Sequence, residues 1–338
     1  MTRIRVHRVG ESAGHAGQKP REVEGYELDN GSGLSVLVWT YGATLVEVRV
    51  PDRSGRIDNV VLRHRDLADY EARARNPYLG ATVGRFCRNI AGSAFDLDGR
   101  RHLLDPNEGG RHHLHGGTHG FDRLVWNAEV EENAEDVAVR LRLVSPDGDQ
   151  GYPGTLTAET VYRVDVHGRL TFEHRATTDA STVVGFTNHA YWNLGGTTID
   201  GHTLALNATR RLRFDADLVP APGDPVRVAG TALDYTTERP IGDRAIDNFF
   251  VLDDPRWAAV LTEPRGGRRM RVRTDAPGIG VYSADGYPRR PRGGLCLETG
   301  VFPDAPNRPD FPSARLDPGR EYRSTTVHEF QTDGGEGA

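Results

Sequence analysis

The 338-residue chain holds a single lysine, Lys19, among 42 basic residues, so 41 are arginine. Schiff-base aldolases, pyridoxal-phosphate enzymes and P-loop nucleotidases each need a buried or phosphate-facing lysine. Lys19 sits in a polar run, 14–24, that reads as flexible, and all three classes are excluded. Cysteine is nearly as scarce: Cys87 and Cys296 allow one disulfide at most, and a chain this long can bury its core without one. Free thiols are expected, neither in a context that activates a nucleophile. No stretch approaches 18 consecutive apolar residues and the N-terminus has no apolar signal core, so no membrane partner and a cytoplasmic location are expected. A net charge of −6 lacks the clustered positive charge that nucleic acid requires. No glycine fingerprint follows a strand and no strand–helix alternation appears, which sets aside Rossmann and TIM folds. The absence of a fixed-period repeat counts against a propeller.

What is abundant is turn-forming residue and period-two alternation. The chain carries 40 glycines and 20 prolines. Segments 137–144, 156–166, 169–177 and 269–274 alternate apolar with polar residues and are separated by turns such as Pro146-Asp147-Gly148 and His167-Gly168. Only 66–75, with Asp66 as N-cap, predicts a helix. The expected fold is all-β, a large single-domain antiparallel β-sandwich with very little helix. Its expected limits are a flexible N-terminal tail over 1–22, one domain over 23–330 and a frayed tail over 331–338.

Three islands carry chemistry-bearing residues. The first, R-H-H-L-H-G-G-T-H-G, contains His112, His113, His115 and His119. In an extended strand His113 and His115 share a face and form half of a metal site, the basis of a metal-dependent β-barrel reading. The non-metal reading has the better support, because no glutamate or further histidine follows at a ligand-like spacing. The second, T-N-H-A-Y-W-N-L-G-G, turns Thr187, His189, Tyr191 and Asn193 to one side and Trp192 to the other. A polar face of this kind suits hydroxyl recognition. In the third, Glu298 lies among apolar residues of a strand that leads into a Pro-rich loop, where desolvation raises carboxylate basicity. Pairing with an arginine is the structural alternative.

Together with Y-G-A-T-L, P-D-R-S-G, V-G-R-F-C-R-N-I, G-Y-P-G, D-N-F-F-V-L and P-D-A-P-N-R-P-D-F-P-S, these islands resemble the aldose 1-epimerases over about residues 25–330. The resemblance implies a galactose mutarotase-like supersandwich that interconverts the α and β anomers of a free hexose or related hemiacetal without metal or organic cofactor. It implies Glu298 as general base at the anomeric hydroxyl, His189 as general acid at the ring oxygen and His115 as a supporting hydrogen-bond donor. Asp247, Arg85, Arg88, Asn89 and Tyr191 are the implied sugar contacts. The partner is a small sugar, with the protein a monomer or homodimer. Two departures stand out. The family usually runs Asn-Arg-Ile where this chain has Arg88-Asn89-Ile90, so either the segment is locally shifted or, on an unchanged backbone path, Asn89 takes the arginine's place and Arg88 points elsewhere. Gly300 stands where the family commonly has glutamine. Both departures predict retained acid–base chemistry with a sugar other than galactose or glucose. A non-catalytic sugar-binding sandwich is the competing reading.

Overall fold

The structure, a computed structural model, describes residues 2–14, 19–254 and 256–332. Alternation in sequence becomes alternation in burial. In the strand Arg169–Thr178, Leu170, Phe172, His174 and Ala176 turn inward while the residues between them stay partly or fully exposed. Long strands of this type build a nine-stranded antiparallel sheet. Its order runs from Asn127–Glu132 through Asp136–Ser145, Leu156–Asp165, Arg169–Thr178, Tyr322–Thr332, Arg268–Thr274 and Ala259–Glu263 to Thr203–Leu206 and Arg239–Pro240. A five-stranded sheet spans Arg3–Ser12 to Ile57–Asn59, and a six-stranded sheet contains Tyr191–Trp192, Leu295–Gly300, Gly278–Tyr282 and Asp247–Val251.

One apolar core joins all three sheets. Leu141, Phe172 and Met270 of the nine-stranded sheet, Leu28, Val36 and Val48 of the five-stranded sheet, and Phe250, Ile279, Leu295 and Leu297 of the six-stranded sheet pack into a single cluster. The all-β sandwich expected from composition and periodicity is therefore the observed architecture. Trp192 lies in this core, stacked on His328 with ring centroids 4.9 Å apart, as its strand face predicts.

The edges of the chain differ from expectation. Residues expected to form a tail instead begin with the strand Arg3–Ser12, paired antiparallel with Arg21–Asp29. The reason is local: 3–12 reads R-I-R-V-H-R-V-G-E-S, a pattern of long polar side chains that suits an exposed edge strand. Gln331 and Thr332 likewise finish the strand Tyr322–Thr332, while the rest of the expected C-terminal tail, 333–338, lies outside the described residues. Among the described residues the single α-helix is Leu67–Glu71, half the expected 66–75, and Asp66 makes no side-chain cap bond. The helix ends where Ala72 takes an extended backbone, with φ −79° and ψ 90°. Among the described residues no helix is long and apolar enough to cross a membrane.

Burial of histidine has a consequence for stability. Desolvation holds His113, His174 and His202 down to about 4 and His328 to about 3. These rings stay neutral in the fold between those values and the unfolded value near 6.5, where the unfolded chain takes up protons that the native chain does not. Stability should therefore fall as pH drops from about 6.5 towards 4, read as a declining urea midpoint. A midpoint that stays flat across that window contradicts the assignment.

Candidate active site

The strand Leu295–Gly300 sends Leu295 and Leu297 into the core, so Cys296 and Glu298 point to the opposite face of the six-stranded sheet. Register then decides their neighbours. Cys296 pairs with Tyr282 and Tyr191, Glu298 pairs with Gly280, and on the next strand Asp247 and Phe249 pair with Tyr282 and Gly280. One sheet face thus presents Tyr191, Glu298, Tyr282 and Asp247 as the floor of a cavity of about 220 Å³.

The opposite wall comes from two loops that brace each other. Arg88 and His115 both have left-handed backbones, with φ of 70° and 53°. The Arg88 N–H donates to His115 Nδ1 at 3.1 Å, and the His115 N–H donates to the Arg88 carbonyl at 3.3 Å. The glycine after His115 is required: Gly116 has φ +88°, and a Cβ there would lie 1.8 Å from the Gly84 carbonyl oxygen. Tyr78 wedges against both histidines, with its ring centroid 4.6 Å from that of His115 and 5.8 Å from that of His189. Arg73 caps the Tyr78 ring at 4.3 Å and pairs with buried Asp122 at 2.5 Å.

The charged groups converge on Glu298, whose side chain is 2% exposed. Arg88 Nη2 lies 2.9 Å from Glu298 Oε1, and His189 Nε2 lies 3.8 Å from the same oxygen. Glu298 Oε2 and Arg88 Nε have no partner. Burial pushes His189 below its ordinary value; Glu298 acts in the opposite direction and Arg88 adds to the depression. His115 falls well below its ordinary value through burial, with the His189 and Arg88 charges adding to it. Burial also raises the Asp247 carboxyl, partly offset by Arg88.

His115, His189 and Glu298 have ligand-type atoms within 4.8 Å of one another, a spacing compatible with a metal ion. Their hydrogen bonds point elsewhere. His115 Nδ1 already accepts the Arg88 N–H, so the neutral ring carries its proton on Nε2 and has no free lone pair, and Glu298 Oε1 is held by a guanidinium. The set presents an N–H donor at His115 and one unpartnered carboxylate oxygen at Glu298. The His113 and His115 pair is also dissolved as a ligand set, because the left-handed turn at His115 breaks the shared strand face. His113 is buried with Nδ1 against the Asp105 carbonyl at 2.8 Å and Nε2 against Tyr152 Oη at 2.7 Å.

The structure brings Glu298, His189, His115, Asp247, Arg88, Asn89 and Tyr191 to one cavity. Arg85 is the exception and is corrected from sugar contact to scaffold. Its buried guanidinium donates to Ser145 Oγ and to the carbonyls of Ser145, Pro146, Pro153 and Gly154. Of the two outcomes open for Arg88, a local shift of the segment is the one observed. The left-handed turn swings its side chain into the cavity, so Asn89 does not replace it and both line the site. Gly300 faces Cys87 Sγ, which a Cβ would approach to 3.3 Å, and is absent from the cavity wall. Asn193 turns away and donates to the Gly293 carbonyl. Sequence reasoning missed Tyr78 and Tyr282. Tyr78 lies just before the recognised V-G-R-F-C-R-N-I segment and outside it, and its partner histidines are 37 and 111 residues away. Tyr282 becomes visible only once its register with Cys296 and Asp247 is known. Two larger depressions, of about 710 and 920 Å³, lie elsewhere. In the first, His202 Nε2 and both Glu263 oxygens are already bonded to backbone N–H groups.

A sequence model of the aldose 1-epimerase family matches residues 24–329. Similar curated proteins include the galactose mutarotase of Bos taurus, 35% identical over 91% of this chain and 94% of that protein. The aldose 1-epimerase of Escherichia coli K12 is 34% identical over 90% and 94%. Among solved structures, galactose 1-epimerase from Lactobacillus acidophilus aligns with a TM-score of 0.86 at 26% identity, covering 98% of this chain and 99% of that one. An aldose epimerase homologue from C. elegans gives 0.84 at 27% identity, covering 90% and 98%. A β-sandwich with a histidine–carboxylate cavity places the protein among the isomerases that act on carbohydrates. The chain belongs to the aldose 1-epimerase family.

Because Arg85 serves the scaffold, Arg85→Ala should leave buried carbonyls unpaired and lower unfolding stability by about 3 kcal/mol or more. Denaturant titration reads the loss, and the folded fraction should keep its KM. A raised KM with unchanged stability would restore the sugar-contact assignment.

Proposed function

We propose that this site opens and recloses the ring of a free aldose, with Glu298 as general base and His189 as general acid. The observation that carries this reading is the unpartnered, buried Glu298 Oε2 beside a cavity of about 220 Å³ that also receives His189. That volume is below the range of drug-sized pockets, as one monosaccharide requires. The anomeric O1–H gives its proton to Glu298, the O1–H electrons form the C1=O1 carbonyl, and the C1–O5 bond breaks as O5 takes a proton from protonated His189. Rotation about C1–C2 presents the other carbonyl face. Reversing both transfers closes the opposite anomer and restores the starting protonation of both residues.

The acid and base have supporting groups. His115, fixed with its proton on Nε2, donates to oxygen at or next to O5. Asp247 accepts from sugar hydroxyls at the other end of the floor. Glu298 has a second task, because it is the anion that favours the His189 cation against desolvation. Arg88 reaches the cavity after all, so a guanidinium is available to the sugar and D-galactose is the first substrate to test.

Exchange NMR on fresh α-anomers against the buffer rate is the direct measurement. Glu298→Gln and His189→Asn should each lower kcat/KM by about 10²–10⁴-fold while keeping the fold. Wild-type rates in either variant contradict the assignment, and a wild-type protein no faster than buffer on any aldose leaves the sugar-binding alternative. Glu298→Gln should also lower the His189 pKa followed by its Cε1–H resonance, since the opposing anion is removed. An unchanged or raised value would mean the two groups do not interact.

A further inference from the structure

Gly280 lies directly across the strand pair from Glu298, on the same sheet face. Its φ is not in the left-handed region, so backbone conformation does not require glycine there. Space does. A Cβ at residue 280 would lie 1.4 Å from Arg88 Nη2, 2.2 Å from Arg88 Cζ and 2.7 Å from Arg88 Nε. The guanidinium occupies the volume where any other residue would begin its side chain. Phe249, next across on the following strand, closes the far side of this slot, with Arg88 Cζ 5.8 Å from its ring centroid.

We infer that Gly280 is a positioning residue for the proposed reaction: its missing side chain is the slot that lets Arg88 lie against the sheet and hold Glu298. The inference rests on the reading of Glu298 as the base. Arg88 enters from a loop on the opposite wall, and the left-handed turn at its Cα aims it across the cavity. It reaches Glu298 Oε1 because nothing rises from residue 280. Pairing through Nη2 and Oε1 leaves Arg88 Nε as a bare donor and Glu298 Oε2 as a bare acceptor within one ion pair. Oε2 is then the acceptor left for the proton of a hydroxyl. The slot therefore fixes the guanidinium on Oε1 and keeps Oε2 as the oxygen proposed to take the proton.

A double-mutant cycle over Gly280→Ala and Arg88→Ala tests this, with wild type and Glu298→Gln measured first by exchange NMR. If wild type is inactive, the proposed function fails and not the slot. Given an active wild type, Gly280→Ala should lower kcat/KM about tenfold or more, the equivalent of one lost charge-assisted hydrogen bond. Arg88→Ala should do the same, and the double variant should lose no more than Arg88→Ala alone. Stability gives an independent arm. Gly280→Ala should lower Tm where Arg88 is present and leave Tm unchanged in Arg88→Ala, where the guanidinium no longer fills the space. Should Gly280→Ala alone fail to fold, a folded double variant still reports the coupling. Wild-type activity in Gly280→Ala, losses that multiply in the double variant, or a Tm penalty independent of Arg88 would each overturn the inference.

Discussion

The site depends on one buried ion pair, Arg88 with Glu298. A carboxylate that is 2% exposed needs a partner, because stripping water from an unpaired charge costs several kcal/mol. A proton acceptor must nevertheless keep an oxygen available to its substrate. The two demands are met by dividing the carboxylate: Oε1 takes the guanidinium and the nearby His189, while Oε2 remains bare. Moving Arg88 to bridge both oxygens would satisfy burial and remove the acceptor. The pair is thus set by where the guanidinium is stopped, which is the business of the two loops and of the sheet face beneath it.

The sheet supplies that face through period two. A residue pointing away from the common core at Glu298 carries with it Cys296, and register brings Tyr282, Gly280, Asp247 and Phe249 alongside without further instruction. The loops supply the rest through backbone geometry that strands do not use. Left-handed residues at Arg88 and His115 exchange backbone and side-chain hydrogen bonds, so the turn that aims the guanidinium also sets the proton of His115 on Nε2. Recognition and proton placement are coupled by the same contact.

This division explains what could be read from the residues alone. Alternation over 169–177 and 137–144 depends on local period and was legible, as was the polar island around His189. Glu298 could be singled out because an acid inside an apolar strand is visible without its neighbours, and the structure shows it as an arginine's partner whose second oxygen has no partner. Arg85 and Arg88 were not separable in sequence. They are three residues apart in one motif, yet one ends on backbone carbonyls of 145–154 and the other in the cavity, a difference made by a left-handed turn and by partners some 60 and 210 residues away. Gly280 carried no signal at all, since the meaning of a missing side chain lies in what fills its place.

At residue 88 the choice of arginine over lysine has a physical sense. A buried lysine in place of Arg88 would be a third titrating group, because desolvation readily lowers an ammonium into the working range, whereas a guanidinium stays charged. With arginine, the charge beside Glu298 stays constant during the proton transfers proposed for the sugar, Glu298 and His189. A planar cation also lies flat in a slot the thickness of one absent side chain, between Gly280 and the cavity, where a tetrahedral ammonium would present only a point charge. In the proposed reaction, whose substrate and product differ in configuration at one carbon, the constant guanidinium charge would be the fixed reference for proton exchange in either direction at Glu298 and His189.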